Sequence, residues 1–479
     1  ELTYVADVLA SRHDANTVYA VFNNHKSGDF KPYVAKSTDR GRSWRSITSN
    51  LPARHVTWSI AEDHLDPSLL FVATEFALFF TIDGGANWIQ LTGDVPTIAF
   101  RDLEVQRRED DLVAASFGRG FFILDDYTPL RHVSEETLAQ EAQLFPVKDA
   151  WMYIQASPVG GREKGTMGHS YFTAPNPPFG AVFTYYLRDG LESQRQGRQA
   201  RERRLREQGE PVYYPSWDEL REEEREDGPA VILTVRDEAG NVVRRISGPT
   251  SRGFHRVAWD LRYPTFRPAR LGRGSSGPLA VPGTYAVSLE KLVDGILTPL
   301  SEPQSFEARA LGLATLPASD KAALLAFQRK AGRLQRAVLG ANRVVEETQE
   351  QLRYIKRALM DTPGAEAELF ATVRELERRL ADIELELSGD ETVTGRFEYA
   401  PLSITDYLDR AVGGFWSSAA PTATHQRSYE IAGRVFQDVL ERLRVLVEED
   451  LASLSDELEV IGAPWTPGRG VPKWSFEAL

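Results

Sequence analysis

Lys26, Glu75 and Arg119 would supply two cations and a carboxylate, and Trp58 a flat aromatic face, at positions that recur in step along the first 130 residues. A carboxylate flanked by cations can grip a polar ligand. Facing a second carboxylate it could instead serve glycoside hydrolysis, whose inverting form needs the two groups about 6.5–9.5 Å apart. An indole stacks against the apolar face of a sugar. The bland alternative is an ion pair between Glu75 and Arg119 on neighbouring elements, the commoner use of such residues. The chain has no cysteine, which removes disulfides and thiolate chemistry. It also has no His-x-x-x-His, nucleophile-elbow serine or phosphate loop, so no metal or cofactor is expected.

A repeat must position these side chains. Residues 37–44 read Ser-Thr-Asp-Arg-Gly-Arg-Ser-Trp and residues 81–88 read Thr-Ile-Asp-Gly-Gly-Ala-Asn-Trp, one pattern 44 residues apart. That spacing is one propeller blade. Each carboxylate, Asp39 or Asp83, can accept bonds from its own tight turn behind Ser37 or Thr81, while Gly41 or Gly85 supplies a positive φ. Trp44 and Trp88 are expected to anchor the next strand in the core. Short apolar runs precede both turns, at 16–21 and 33–36 and again at 68–73 and 78–80, and a third unit without the Trp follows at 111–126. In such a blade the second-to-third strand connection lies opposite the eight-residue turn. Residues 24–29, 75–76 and 117–119 therefore share one face with the lead-ins 55–58 and 98–101, which gathers Lys26, Trp58, Glu75 and Arg119. Asp125 and Asp126 are adjacent on an expected strand, so they point apart and cannot form a carboxylate pair. About three blades cannot close a ring. The N-terminal part of the same protein, or another chain, is expected to complete it.

The rest of the 479 residues divides by pattern. Residues 1–130 are the blades. Residues 131–315 alternate as the strands of an immunoglobulin-like β-sandwich, including Val257, Trp259 and Leu261 on one face. A charged stretch at 193–227 interrupts them and is expected to form a solvated helical hairpin whose charges pair internally. Between 316 and 462, Leu324, Phe327, Ala331, Leu334, Val338 and their successors step by threes and fours, the seam of an antiparallel three-helix bundle. The tail 463–479 is expected to be extended and packed through Trp465 and Trp474. The fold class is thus multidomain, β then α. A formal net charge of −13 argues against nucleic acid as partner, and no run of eighteen apolar residues offers a membrane span.

Several peptides, among them Asp29-Phe30-Lys31-Pro32-Tyr33, Ala73-Thr74-Glu75-Phe76-Ala77, Phe117-Gly118-Arg119-Gly120-Phe121 and Ser428-Tyr429-Glu430-Ile431-Ala432-Gly433, resemble the C-terminal half of bacterial exported proteins with sortilin-like Asp-box (BNR repeat) propellers. Such proteins are often labelled glycosyl hydrolase or exo-sialidase. The resemblance implies a secreted, periplasmic or cell-surface location, with the export signal upstream. It departs at Phe117, where many relatives carry His. Two functions are carried forward: a non-catalytic module that binds a peptide or glycan, and a sialidase-like or glucanase-like hydrolase whose catalytic residues lie mainly in further blades.

Overall fold

The computed structural model describes residues 3–155, 168–170, 172–269, 276–314, 316–415, 417–472 and 474–476. They form two compact units: Glu1–Ala150 with Thr173–Trp259 and Thr284–Glu307, and Trp151–Phe172 with Asp260–Gly283 and Ala308–Leu479.

The first unit begins with three consecutive antiparallel meanders, propeller-like in their order. Strands β1 (Tyr4–Ala10), β2 (Val18–Asn24), β3 (Asp29–Ser37) and β4 (Arg45–Ser46) pair in sequence. So do β5 (Thr57–Glu62), β6 (Leu70–Thr74), β7 (Leu78–Thr81) and β8 (Ile89–Gln90), and then β9 (Phe100–Gln106), β10 (Asp111–Ser116) and β11 (Phe121–Leu124). The middle sheet is apolar on both faces because it is covered on both. Leu70 and Val72 share a core with Tyr19, Val21 and Val34 of the first sheet, while Phe71 and Ala73 share another with Phe100, Leu103 and Leu112 of the third. All five residues of β6 are buried. The outer sheets are covered on one face only, leaving Tyr4, Val8, Phe121 and Ile123 exposed.

Both eight-residue turns close on their own side chains. Asp39 accepts from the Ser43 backbone N–H at 2.8 Å and the Ser43 hydroxyl at 2.6 Å, and Asp83 from the Asn87 N–H and side-chain amide, each at 2.9 Å. Hydrogen bonding from Ser43 holds the Asp39 carboxyl down at about 2. Gly85 sits at φ 96°, and a Cβ there would meet Ile47 of the preceding sheet at 2.9 Å. Only one of the two tryptophans anchors as expected. Trp88 is buried, donates to the Ile47 carbonyl at 2.8 Å and takes a bond from the Asn50 amide on its own carbonyl at 3.0 Å. Trp44 is 43% exposed and rests on Phe22, its indole N–H turned back to Gly41 at 3.1 Å. The cause is positional: Trp88 leans on the sheet before its own, and the described residues place no sheet before β1.

Helix α1 (Glu135–Ala139), β12 (Ala142–Leu144), β13 (Ala150–Met152) and β14 (Ala181–Leu187) follow. Helices α2 (Gln194–Glu207) and α3 (Trp217–Arg225) occupy the charged stretch, each opened by a serine capping box, and Arg198 ties them by binding Glu223 at 2.5 and 2.9 Å. Next come β15 (Ala230–Asp237), β16 (Val242–Gly248) and β17 (Gly253–Trp259), the hairpin β18 (Arg262–Pro264) with β19 (Ser276–Leu279), and β20 (Gly283–Val293), β21 (Ile296–Pro299) and β22 (Gln304–Ala310). Strands β12, β14 and β17 form one sheet; β22, β20, β15 and β16 lie in that order in another, with β21 beside β20. Phe183 and Trp259 of the first meet Tyr285 and Phe306 of the second at ring separations of 5.1–6.3 Å, so these sheets pack face to face. Leu261 is buried as the alternation requires, although β17 ends two residues earlier.

In the second unit α4 (Lys321–Met360) is one 40-residue helix, followed by α5 (Ala367–Ser388), α6 (Glu391–Thr394), α7 (Ile404–Val412), α8 (Ala423–Arg444) and α9 (Leu451–Val460). The three-helix expectation is too simple. Ile404 and Leu408 of α7 join the core, and the last helical stretch is broken by a π turn at Val445–Asp450. The nine residues of α7 are too few to display a long periodicity. Gly332 lies where Phe266 presses on α4; a Cβ would meet that ring at 2.2 Å. The tail is held by Arg469 rather than by tryptophans. Its guanidinium donates to Glu459 and to the Pro464 carbonyl at 3.1 Å, while Trp465 and Trp474 are exposed. A buried guanidinium needs that full set of acceptors, which an indole does not supply. Residues 473 and 477–479 of the tail lie outside the described residues.

The unequal tryptophans give a direct test. Trp88→Ala should cost the first unit about 3–5 kcal/mol and Trp44→Ala about 1 kcal/mol or less, measured as shifts of its urea unfolding transition.

Candidate functional site

The face opposite the eight-residue turns is built from strand starts and tight connections. Thr57, fully buried at the start of β5, receives the Tyr33 N–H at 3.2 Å and fixes the lead-in to Trp58. The β6–β7 connection is locked by Thr74, whose hydroxyl takes the Ala77 N–H at 3.1 Å and donates to the Ala77 carbonyl at 2.8 Å. The Glu75 N–H bonds Val56 at 2.9 Å, which brings this connection against the β5 lead-in. His55 packs beneath on Phe76 and Phe79, and burial lowers its pKa.

Glu75 and Trp58 therefore meet: the indole N–H donates to Glu75 Oε2 at 2.9 Å. The cation that joins them is Arg101, not Arg119. Arg101 Nη2 lies 3.5 Å from the same Oε2, and its guanidinium carbon sits 3.5 Å from the centre of the Trp58 ring and 5.1 Å from that of Phe117. The His25 ring abuts Trp58 edge-on at 5.3 Å. The row His25, Trp58, Arg101, Phe117 thus crosses all three sheets, with both Arg101 and Glu75 about one-third exposed. Lys26 is exposed nearby, its ammonium 5.8 Å from the Tyr4 ring, and Arg119 is exposed at the β10–β11 turn. Neither Lys26 nor Arg119 pairs with Glu75. The sequence did hold a signal for Arg101: it occupies the second position of β9, as Trp58 does of β5, so adjacent innermost strands bring the two side by side.

Deeper along the innermost strands, the Ser59 hydroxyl donates to Asp7 at 2.8 Å and lies 3.4 Å from Asp102. Asp7 also takes the Ile60 N–H at 3.0 Å, and Asp102 that of Leu103 at 2.9 Å. Two carboxylates on separate strands thus share one hydroxyl, a pair that no short motif announces. The alternation argument does not reach Asp125 and Asp126, because β11 stops at Leu124 and Asp126 turns off at φ 46° to accept from the Thr128 hydroxyl; burial and the neighbouring Asp111 and Asp126 charges raise the Asp125 carboxyl.

At the opposite end, Asp63, His64 and Asp110 offer atoms within 4.8 Å of one another, a spacing that could hold a cation. Arg131 already fills that role. It donates to Asp63 at 3.0 and 2.7 Å and to Asp110 at 2.6 Å, and the Tyr127 hydroxyl adds a bond to Asp63 at 2.7 Å. Burial by itself would raise the Asp63 carboxyl. The bonds from Arg131 and Tyr127, with the Asp66 and Leu65 N–H groups, outweigh it and hold the group at about 2. The donor set is that of an ion-paired pin between the second and third sheets.

No protein-family model and no curated protein matches the chain. Similar solved structures include a GH74 enzyme of Niastella koreensis, 16% identical with a TM-score of 0.22 over 26% of this chain and 21% of that one. YCF48 bound to D1 peptide is 16% identical, with a TM-score of 0.20 over 26% of this chain and 37% of that one. The extracellular domain of BT4673 from B. thetaiotaomicron is 13% identical, with a TM-score of 0.21 over 64% and 31%. The chain spans well under half the length of each, and likeness at this level assigns no function.

The pin makes stability depend on acid in a defined window. The Asp63 carboxyl lies near 2 when folded against 3.8 as its ordinary value, so its contribution is complete above about pH 4 and is lost as pH falls toward 2. Urea unfolding followed between those pH values should show a loss of about 2 kcal/mol from this group. Arg131→Met should cost about 3–5 kcal/mol at neutral pH by leaving Asp63 buried and unpaired, and should abolish that acid-dependent loss.

Proposed function

We propose that this chain is a non-catalytic binding or scaffold module of an extracytoplasmic propeller protein, and that its ligand is a peptide or glycan stacking on Trp58 and Phe117. On this reading the three meanders are blades, the two packed sheets are an immunoglobulin-like sandwich, and the later helices are a bundle that follows it. The observation that carries the reading is the engagement of Glu75. One of its oxygens serves both the Trp58 indole and the Arg101 guanidinium, so the carboxylate orients an aromatic and cationic platform instead of moving a proton.

The exposed Trp44, Tyr4 and Val8 on one flank and Phe121 and Ile123 on the other support a completing partner, either the N-terminal part of the same protein or another chain. A glycoside hydrolase is the second reading. It is favoured by Asp7 and Asp102, two carboxylates held around Ser59 on innermost strands, and would need the remaining residues from further blades.

Glycan and peptide arrays probed with the full chain, alongside release of nitrophenol from aryl glycosides, separate the readings. Binding without hydrolysis, weakened about tenfold or more by Trp58→Ala, is the expected result. Binding that survives Trp58→Ala would remove the platform from consideration. Hydrolysis lost in Asp102→Asn would establish the second reading instead.

A further inference from the structure

The second unit contains a cavity of about 380 Å³, the size of a small-molecule site. Its wall is mostly apolar, formed by residues such as Met152, Leu279, Val281, Pro317 and Leu325, with the serines Ser417 and Ser418 at one part of it. Two polar side chains of α4 interrupt that wall. Gln328 is 3% exposed and lines the cavity, and its side chain makes no hydrogen bond among the described residues. An amide that opens into a cavity with no partner there is free to bond a polar group that a ligand brings in. Lys321, the first residue of the helix, lines the same cavity and pairs with no carboxylate among the described residues. A cation there is set against the helix dipole, an arrangement that an incoming anion relieves. Leu313, 72% exposed, extends the apolar surface at the cavity lining.

Lys321 and Gln328 are seven residues apart, two turns along one face of α4, or about 10 Å. We infer that this cavity binds an amphipathic organic acid whose carboxylate meets Lys321, whose apolar body fills the cavity, and whose second hydrogen-bonding group, set well along the chain from the first, meets Gln328. A hydroxylated medium-chain fatty acid has this chemistry. The site is separate from the Trp58 platform and does not depend on the function proposed for it.

Isothermal titration of the full chain with 10-hydroxydecanoate, decanoate and decan-1-ol tests the inference. Both acids should bind, the hydroxy acid several-fold more tightly and the alcohol about tenfold more weakly or worse. Lys321→Gln should erase the advantage of acid over alcohol. Gln328→Leu should erase the preference for the hydroxy acid while leaving decanoate bound. Ala314→Trp, at an exposed position of the lining, should block all three without lowering the melting temperature. Failure of the wild-type chain to bind either acid would overturn the inference, as would affinities indifferent to the Lys321 and Gln328 changes or undiminished in Ala314→Trp.

Discussion

A β-sheet with two apolar faces must find cover for both, and of the three described meanders of the first unit the middle one does so. Strand β6 is buried along its whole length because Leu70 and Val72 enter one core and Phe71 and Ala73 the other. That double burial sets the spacing of the three sheets and hence the register of everything along their edges. The glycine of the second eight-residue turn is required for the same reason: Gly85 lies so close to Ile47 of the neighbouring sheet that a side chain there would collide. The outer sheets show the constraint unmet, with aromatic and aliphatic side chains left in water on their far faces.

The two ends of the stacked sheets use charge differently. At one end Asp63 is fully buried and saturated by Arg131, Tyr127 and backbone donors, so its charge is spent on holding the second and third sheets together. Removing one partner of such a pair is far more damaging than the net worth of the pair suggests. At the other end Arg101 lies across Trp58 with, among the described residues, one carboxylate to balance it, and both charged groups remain partly in water. A guanidinium one-third exposed between two aromatic rings offers donors and flat apolar surface at once, which suits recognition of a ligand that has both.

Particular residues show what could be read in advance. The spacing of the two Asp turns located the paired strands, because a hydrogen-bonded turn is a local device whose residues are all neighbours in sequence. The threes-and-fours stepping from Leu324 onward located α4, since 40 residues of one helix give the period many chances to appear. The face holding Trp58 and Glu75 was legible from strand alternation and connection order. Arg101 was signalled only by its matching position on β9, and Trp44 as an uncovered indole, α7 as a core helix and Arg469 as the anchor of the tail were not legible.

The sequence by itself determined the local elements: turns closed by Asp39 and Asp83, the charged helical hairpin at 193–227, and the long seam of α4. These depend on contacts between residues a few positions apart, which spacing and residue type record directly. Only the tertiary structure decided which distant charges pair, which of two identical motif tryptophans is buried, and that Gln328 opens into an apolar cavity. Each of those outcomes rests on a neighbour tens of residues away, and several arginines or carboxylates of equal chemistry compete for every such place until packing selects one.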